Sequence, residues 1–100
     1  MSVLIIQAKG YSYSPAIEKE PSLAWMQETV GGMIEIINLH LQDEKQIQMI
    51  VDEEGLLKEK AINGIGTALY LQMGILNGHP PTLDIIVGDI ILLTEDNLCI

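Results

Sequence analysis

A chain of 100 residues makes a single domain, residues 1–100, long enough to bury about two-thirds of its unfolded surface in one core. Its hydrophobic content of 48% and positive mean hydropathy exclude disorder as the main description. Fourteen acidic residues face five basic ones for a net charge of −9, and all five bases are lysines. That balance argues against direct nucleic-acid binding, which needs a basic footprint and draws on arginine, and against binding to anionic membranes.

The segment 2–9 reads as a first strand closed by Gly10. Its four consecutive apolar residues, Val3 to Ile6, lack the length and basic flank of a signal peptide or a membrane span. Tyr11 to Pro21 reads as a polar connection. A helix is expected from Pro21–Ser22, with Ser22 as its cap and Leu23, Met26 and Val30 at helical spacing. Gly31–Gly32 should end it, because glycine adopts the left-handed conformation without penalty. With Phe absent and Ile and Leu abundant, the core is expected to be aliphatic. Trp25 fits as a packing residue.

Segments 33–41 and 46–53 alternate like two strands around a polar turn, Gln42–Lys45. Pairing Leu41 with Ile47, Leu39 with Met49 and Ile37 with Val51 keeps all six on one face; a one-residue slip would put Asn38 and His40 there instead. The preferred register sets Glu35 opposite Glu53, two like charges across a ladder. Carboxylates at core-facing positions are rare unless paired, at a rim, or functional.

After the turn at Glu54–Gly55, Asn63 is a good cap for a second helix, Gly64 to Met73, with Ile65, Leu69 and Met73 facing inward and Gly74 ending it. Asn77 to Pro81 reads as a turn, and the last strand is expected near Gly88 to Leu93. The order strand, helix, strand, strand, helix, strand gives an α+β sandwich: a mostly antiparallel sheet of about four strands with two helices on one face, in the order of ferredoxin-like folds. Its exposed edges invite pairing between subunits, so a homo-oligomer is expected.

Four short motifs in order, Val30-Gly31-Gly32-Met33-Ile34-Glu35, Ile50-Val51-Asp52-Glu53-Glu54-Gly55, Asn63 with Gly66-Thr67, and Val87-Gly88-Asp89, resemble the family called domain of unknown function 3846. The resemblance spans residues from about 1 to 95. It implies a small accessory protein of bacteriophages, plasmids or other mobile elements, and no particular reaction. It also implies that Glu35, Glu53 and Asn63 match positions the family fills with the same residue types. The chain departs from the family after the asparagine, where Gly66-Thr67-Ala68 stands in place of an Ala-Thr pair.

Glu35, Glu53, Asn63, Gly64, Gly66 and Thr67 therefore form the candidate ligand site. One reading is structural: a glutamate satisfies the free N–H groups at the start of the second helix. The other is a polar pocket in which carboxylates take ribose hydroxyls or amines, the Asn amide reads a base edge, and the glycine-rich helix start holds a phosphate. Catalysis is not expected, since the chain shows no nucleophile, base and oxyanion donor together. No metal site or cofactor is expected either: His40 and His79 lack ligand spacing, and Cys99, the lone cysteine, reads as an inert thiol in a reducing cytosol. Three functions remain: a non-enzymatic binder sequestering a nucleotide-derived small molecule in the bacterial host cytoplasm, an acidic inhibitor or DNA mimic acting on a host enzyme, and a structural accessory domain with no ligand.

Overall fold

The computed structural model describes residues 2–15, 21–40, 46–76 and 85–94. The expected turns at 42–45 and 77–81, and His79 and Cys99, lie outside the described residues. The class is the one the alternation implies, α+β, with a five-stranded sheet and two helices. The elements are β1 (Ser2–Ile6), β2 (Ser12–Tyr13), α1 (Leu23–Val30), β3 (Ile34–His40), β4 (Gln46–Asp52), α2 (Gly64–Leu76) and β5 (Ile90–Thr94). The sheet order is β2-β1-β5-β4-β3, and every neighbouring pair is antiparallel.

The fifth strand, β2, comes from the segment read as a polar connection. Gly10, at φ 99, allows a tight reversal in which Gln7 N donates to Tyr11 O at 2.7 Å and Gly10 N to Gln7 O at 2.9 Å. That reversal lays Ser12–Tyr13 beside Ile5 and Ile6. Polar composition did not prevent pairing there, because an edge strand leaves both faces wet.

The last strand is central. β5 lies between β1 and β4, and all five of its residues are buried. A ferredoxin-like sheet is thereby ruled out, since its final strand would lie at an edge. The helices also take opposite faces. Ile6, Met49, Ile90 and Leu92 pack with Tyr70 and Leu69 of α2, whereas Ile5, Ile50, Ile91 and Leu93 pack with Val30, Trp25 and Met26 of α1. A strand made of consecutive apolar residues, such as Ile90-Ile91-Leu92-Leu93, has an apolar side chain for each face. A one-sided sheet would leave half of them in water.

The caps of α1 follow the sequence. Ser22 accepts from Trp25 N at 3.1 Å, and Gly31, at φ 83, closes the helix by donating to Gln27 O at 2.8 Å. Leu23, expected inside, is exposed, and Trp25 and Met26 pack instead. α2 is rotated from the expected stripe in the same way. Ile65 is exposed while Leu69 and Tyr70 face the core. Gly66 fixes that rotation, because a Cβ there would stand 2.8 Å from Ile90 Cδ1. Gly74 lies within α2 rather than ending it.

The β3–β4 register is two residues from the expected one. Leu39 pairs with Ile47, Ile37 with Met49 and Glu35 with Val51. A two-residue shift keeps every side chain on its face, so the parity argument holds while the Glu35–Glu53 opposition disappears. The ladder continues past the strands, with Glu53 N donating to Met33 O at 2.8 Å. Its register is anchored at this end, where Asp52 is tied to the end of α1.

Candidate functional site

Asp52 is the most constrained acid in the described chain. Its carboxylate is buried, 1% exposed, and Oδ2 meets Lys58 Nζ at 2.9 Å and Lys60 Nζ at 2.5 Å. Oδ1 accepts from Glu54 N at 2.9 Å. The same two ammoniums reach the C-terminal carbonyls of α1: Lys58 Nζ donates to Gly31 O at 3.2 Å and Lys60 Nζ to Val30 O at 2.6 Å. α1 has no basic residue in its own last turn, so these lysines supply the positive charge that a helix C-terminus favours.

Local backbone makes this clamp possible. Glu59 is left-handed at φ 55, which lets the lysines on either side of it turn back to one carboxylate. Glycine clears the space they cross. A Cβ on Gly88 would lie 2.9 Å from Lys60 Cδ, and one on Gly32 would fall on Lys58 Nζ and 2.9 Å from Asp52 Oδ2. Burial pushes the Asp52 carboxyl up. The bonds from Lys60, Lys58 and Glu54 N, with the charge of Lys60, outweigh it and hold the group at about 2, below its ordinary 3.8.

Asn63 is the second fixed point. It is 0% exposed, the one polar member of the largest fully buried side chains among the described residues. Its Nδ2 donates to Ile6 O and to Gly88 O, each at 2.9 Å. Its Oδ1 accepts from Gly66 N at 2.8 Å. The backbone is engaged too: Asn63 N donates to Ile86 O at 2.8 Å, and Asn63 O accepts from Thr67 N at 2.9 Å. Both amide hydrogens are spent on the protein's own carbonyls, as buried polar groups require. The cap on α2 is therefore Asn63 itself, not a carboxylate from Glu35 or Glu53. Thr67 sits beside it, with Oγ1 accepting from Ile86 N at 2.9 Å and donating to Ile86 O at 3.2 Å. Gly64 opens onto empty space, whereas Gly66 is shut against Ile90.

Glu35 and Glu53 belong to a different environment. Both are exposed, and neither carboxylate has a hydrogen-bonding or ionic partner among the described residues. They line one shallow recess with Val51, Asp52, Leu56, Ile85, Ile86 and Val87, of about 60 Å³. Small-molecule pockets run to roughly 300–1,000 Å³, so this recess has room for a fragment of such a molecule and not for the whole of one. Its floor is apolar, and the Glu35 and Glu53 carboxylates at its rim have no cation beside them among the described residues.

The six candidate residues thus divide. Glu35 and Glu53 meet at the recess. Asn63, Gly66 and Thr67 lie behind it, gripping the backbone of Ile86 and Gly88. Sequence reasoning missed Lys58 and Lys60, and it named Asp52 only within the motif Ile50 to Gly55. The usable signal was parity: two residues beyond Ile50, Asp52 must lie on the α1 face, beside the glycine pair that ends α1. Among the described residues no three His, Cys, Asp or Glu side chains gather to hold a metal ion, and no helix is long and apolar enough to cross a membrane.

No curated protein and no solved structure matches the chain. The four sequence motifs nevertheless meet in space, at the ends of α1, β4 and β5 and the start of α2. The family description Domain of unknown function (DUF3846) matches residues 1–98, and the chain belongs to that family.

Proposed function

We propose that this domain is a non-enzymatic binding protein whose recess at Glu35 and Glu53 seats the donor-bearing end of a larger, nucleotide-derived small molecule. The carrying observation is a pair of unpartnered carboxylates over an apolar floor. Carboxylates accept from ribose hydroxyls and exocyclic amines, and an apolar floor suits the face of a base. Phosphates would point to solvent, away from the acidic rim. In the mobile-element setting that the family resemblance implies, the protein would act in the bacterial host cytoplasm as a counter-defence accessory.

A second reading, an acidic inhibitor of a host protein, is favoured by one further observation. Leu56 at the recess and its neighbour Leu57 are exposed, Leu57 by 84%, next to Glu53 and Glu54. An apolar and acidic surface of this kind complements a basic, partly apolar protein face.

Thermal unfolding against a panel of nucleosides, linear nucleotides and cyclic dinucleotides separates the readings. A bound ligand at one hundred times its Kd stabilises by about 2.7 kcal/mol, roughly 10 °C or more for a domain of this size. The shift is expected with ribose-bearing compounds and lost in the Glu35→Ala, Glu53→Ala double variant. No shift across the panel, or one untouched by the double variant, removes the small-molecule reading.

A further inference from the structure

We propose that two copies of this chain pair antiparallel through β3, joining their sheets into one continuous sheet about a two-fold axis at Ile37. This inference is independent of what the recess binds. β3 is the edge strand beside β4, seven residues long. In an antiparallel ladder, residues alternate between bonding to the neighbour and turning away from it. Because Glu53 N donates to Met33 O, positions 33, 35, 37 and 39 bond to β4, and Ile34, Ile36, Asn38 and His40 direct their N–H and C=O groups outward. No described element of the chain takes them up.

The edge carries few of the features that block edge pairing, its one acid being Glu35. Ile34–His40 contains no lysine, proline or bulge, the usual protections against a second strand. Ile36 is 47% exposed and Met33 59%. The opposite edge differs. β2 offers only two residues, so β3-to-β2 stacking has little to hold it, and an open-ended fibre is disfavoured against a closed, isologous pair.

The register follows from the same alternation. Outward groups must meet outward groups, so even-numbered positions pair across the seam. A two-fold at Glu35 would set Glu35 on its own copy and repel. One at Ile36 would overlap only five residues of each strand, by the ladder geometry, as roughly counted from the strand ends. A two-fold at Ile37 pairs all seven residues of Ile34–His40, with Ile36 opposite Asn38 and Ile34 opposite His40 of the second copy. That makes about eight backbone hydrogen bonds. It places Glu35 opposite an apolar residue, Leu39 of the second copy, on the α2 face. Each recess then gains a wall from the other chain.

Light scattering after size exclusion, at tens of micromolar protein, should give about 22 kDa, twice the 11.0 kDa chain. Ile36→Pro removes an N–H that points away from β4, a position where proline is tolerated, and should halve that mass while the circular dichroism spectrum is retained. In a Cys99→Ser background, Ile37→Cys should crosslink under mild oxidation, since directly opposed residues of a non-hydrogen-bonded pair fall within disulfide range. Glu35→Cys should not. A wild-type mass of one chain overturns the proposal, as does a dimer that survives in folded Ile36→Pro or crosslinking as fast at 35 as at 37. Should Ile36→Pro fail to fold, the two cysteine variants decide alone.

Discussion

Two groups of polar residues lie within one end of this sheet and behave in opposite ways. Asp52 and Asn63 are buried, and each donor or acceptor they offer meets a named partner. Glu35 and Glu53 are exposed, and their carboxylates have no partner among the described residues. All four stand in the short motifs Val30–Glu35, Ile50–Gly55 and Asn63 with Gly66-Thr67. The difference separates residues that hold the fold from residues free to hold something else. A polar group already satisfied by its own protein has nothing left with which to recognise a ligand.

Replacing the buried group should cost most. Asn63→Asp keeps the cap acceptor but turns a carboxylate toward the carbonyls of Ile6 and Gly88, which lose their donors. Buried unsatisfied groups cost about 1–3 kcal/mol each, so a loss of roughly 3 kcal/mol or more is expected in urea unfolding. A loss under about 1 kcal/mol would mean that Asn63 does not join β1 to the Gly88 turn.

Asp52→Asn should follow, at about 2 kcal/mol, the range for hydrogen bonds to charged groups; Lys58 and Lys60 are partly exposed and can regain water. The acid dependence gives a sharper test. The folded carboxyl titrates near 2 and the free one near 3.8. The unfolded chain therefore binds this proton more readily, and protonation favours unfolding. The contribution is complete above about pH 5 and is lost progressively as pH falls to and below about 2. Asp52→Asn should flatten that limb of the stability profile, measured by urea midpoints from pH 5 to 2. An unchanged limb would assign the acid sensitivity to other groups.

The smallest effect on stability belongs to the recess. Glu35→Gln and Glu53→Gln should each lie within about 0.5 kcal/mol of wild type, as surface changes do, and together they should abolish any ligand-induced shift. If either alone destabilises the fold as strongly as Asp52→Asn, the contrast between the two groups fails.

Much of the fold was legible in local chemistry. Ser22, the Gly31–Gly32 stop and the Asn63 cap each lie at the helix boundary where their backbone preferences put them. Strand parity was legible too, because one face of 33–41 and 46–53 is plainly more apolar. The register shift and the position of β5 were not, since both depend on partners distant in sequence. Asp52 answers to lysines six and eight positions later and, through them, to carbonyls more than twenty residues earlier. The opposite placement of the helices was available in Ile90-Ile91-Leu92-Leu93, an uninterrupted apolar run that two faces must share. Of the site, the convergence of Glu35 and Glu53 on one recess came from face parity, whereas the true role of Asn63 depended on carbonyls that only tertiary structure brings near.

The central position of β5 has a temporal consequence. It is made after the other four strands, yet both flanking ladders, β1 on one side and β4 on the other, close only against it. On the ribosome the β3–β4 hairpin can form from neighbouring residues, while β1, paired nearby only with the two residues of β2, waits for its longer partner about ninety positions away. Such distant closure slows folding and leaves unpaired hydrophobic strands open to chaperones or to aggregation during synthesis.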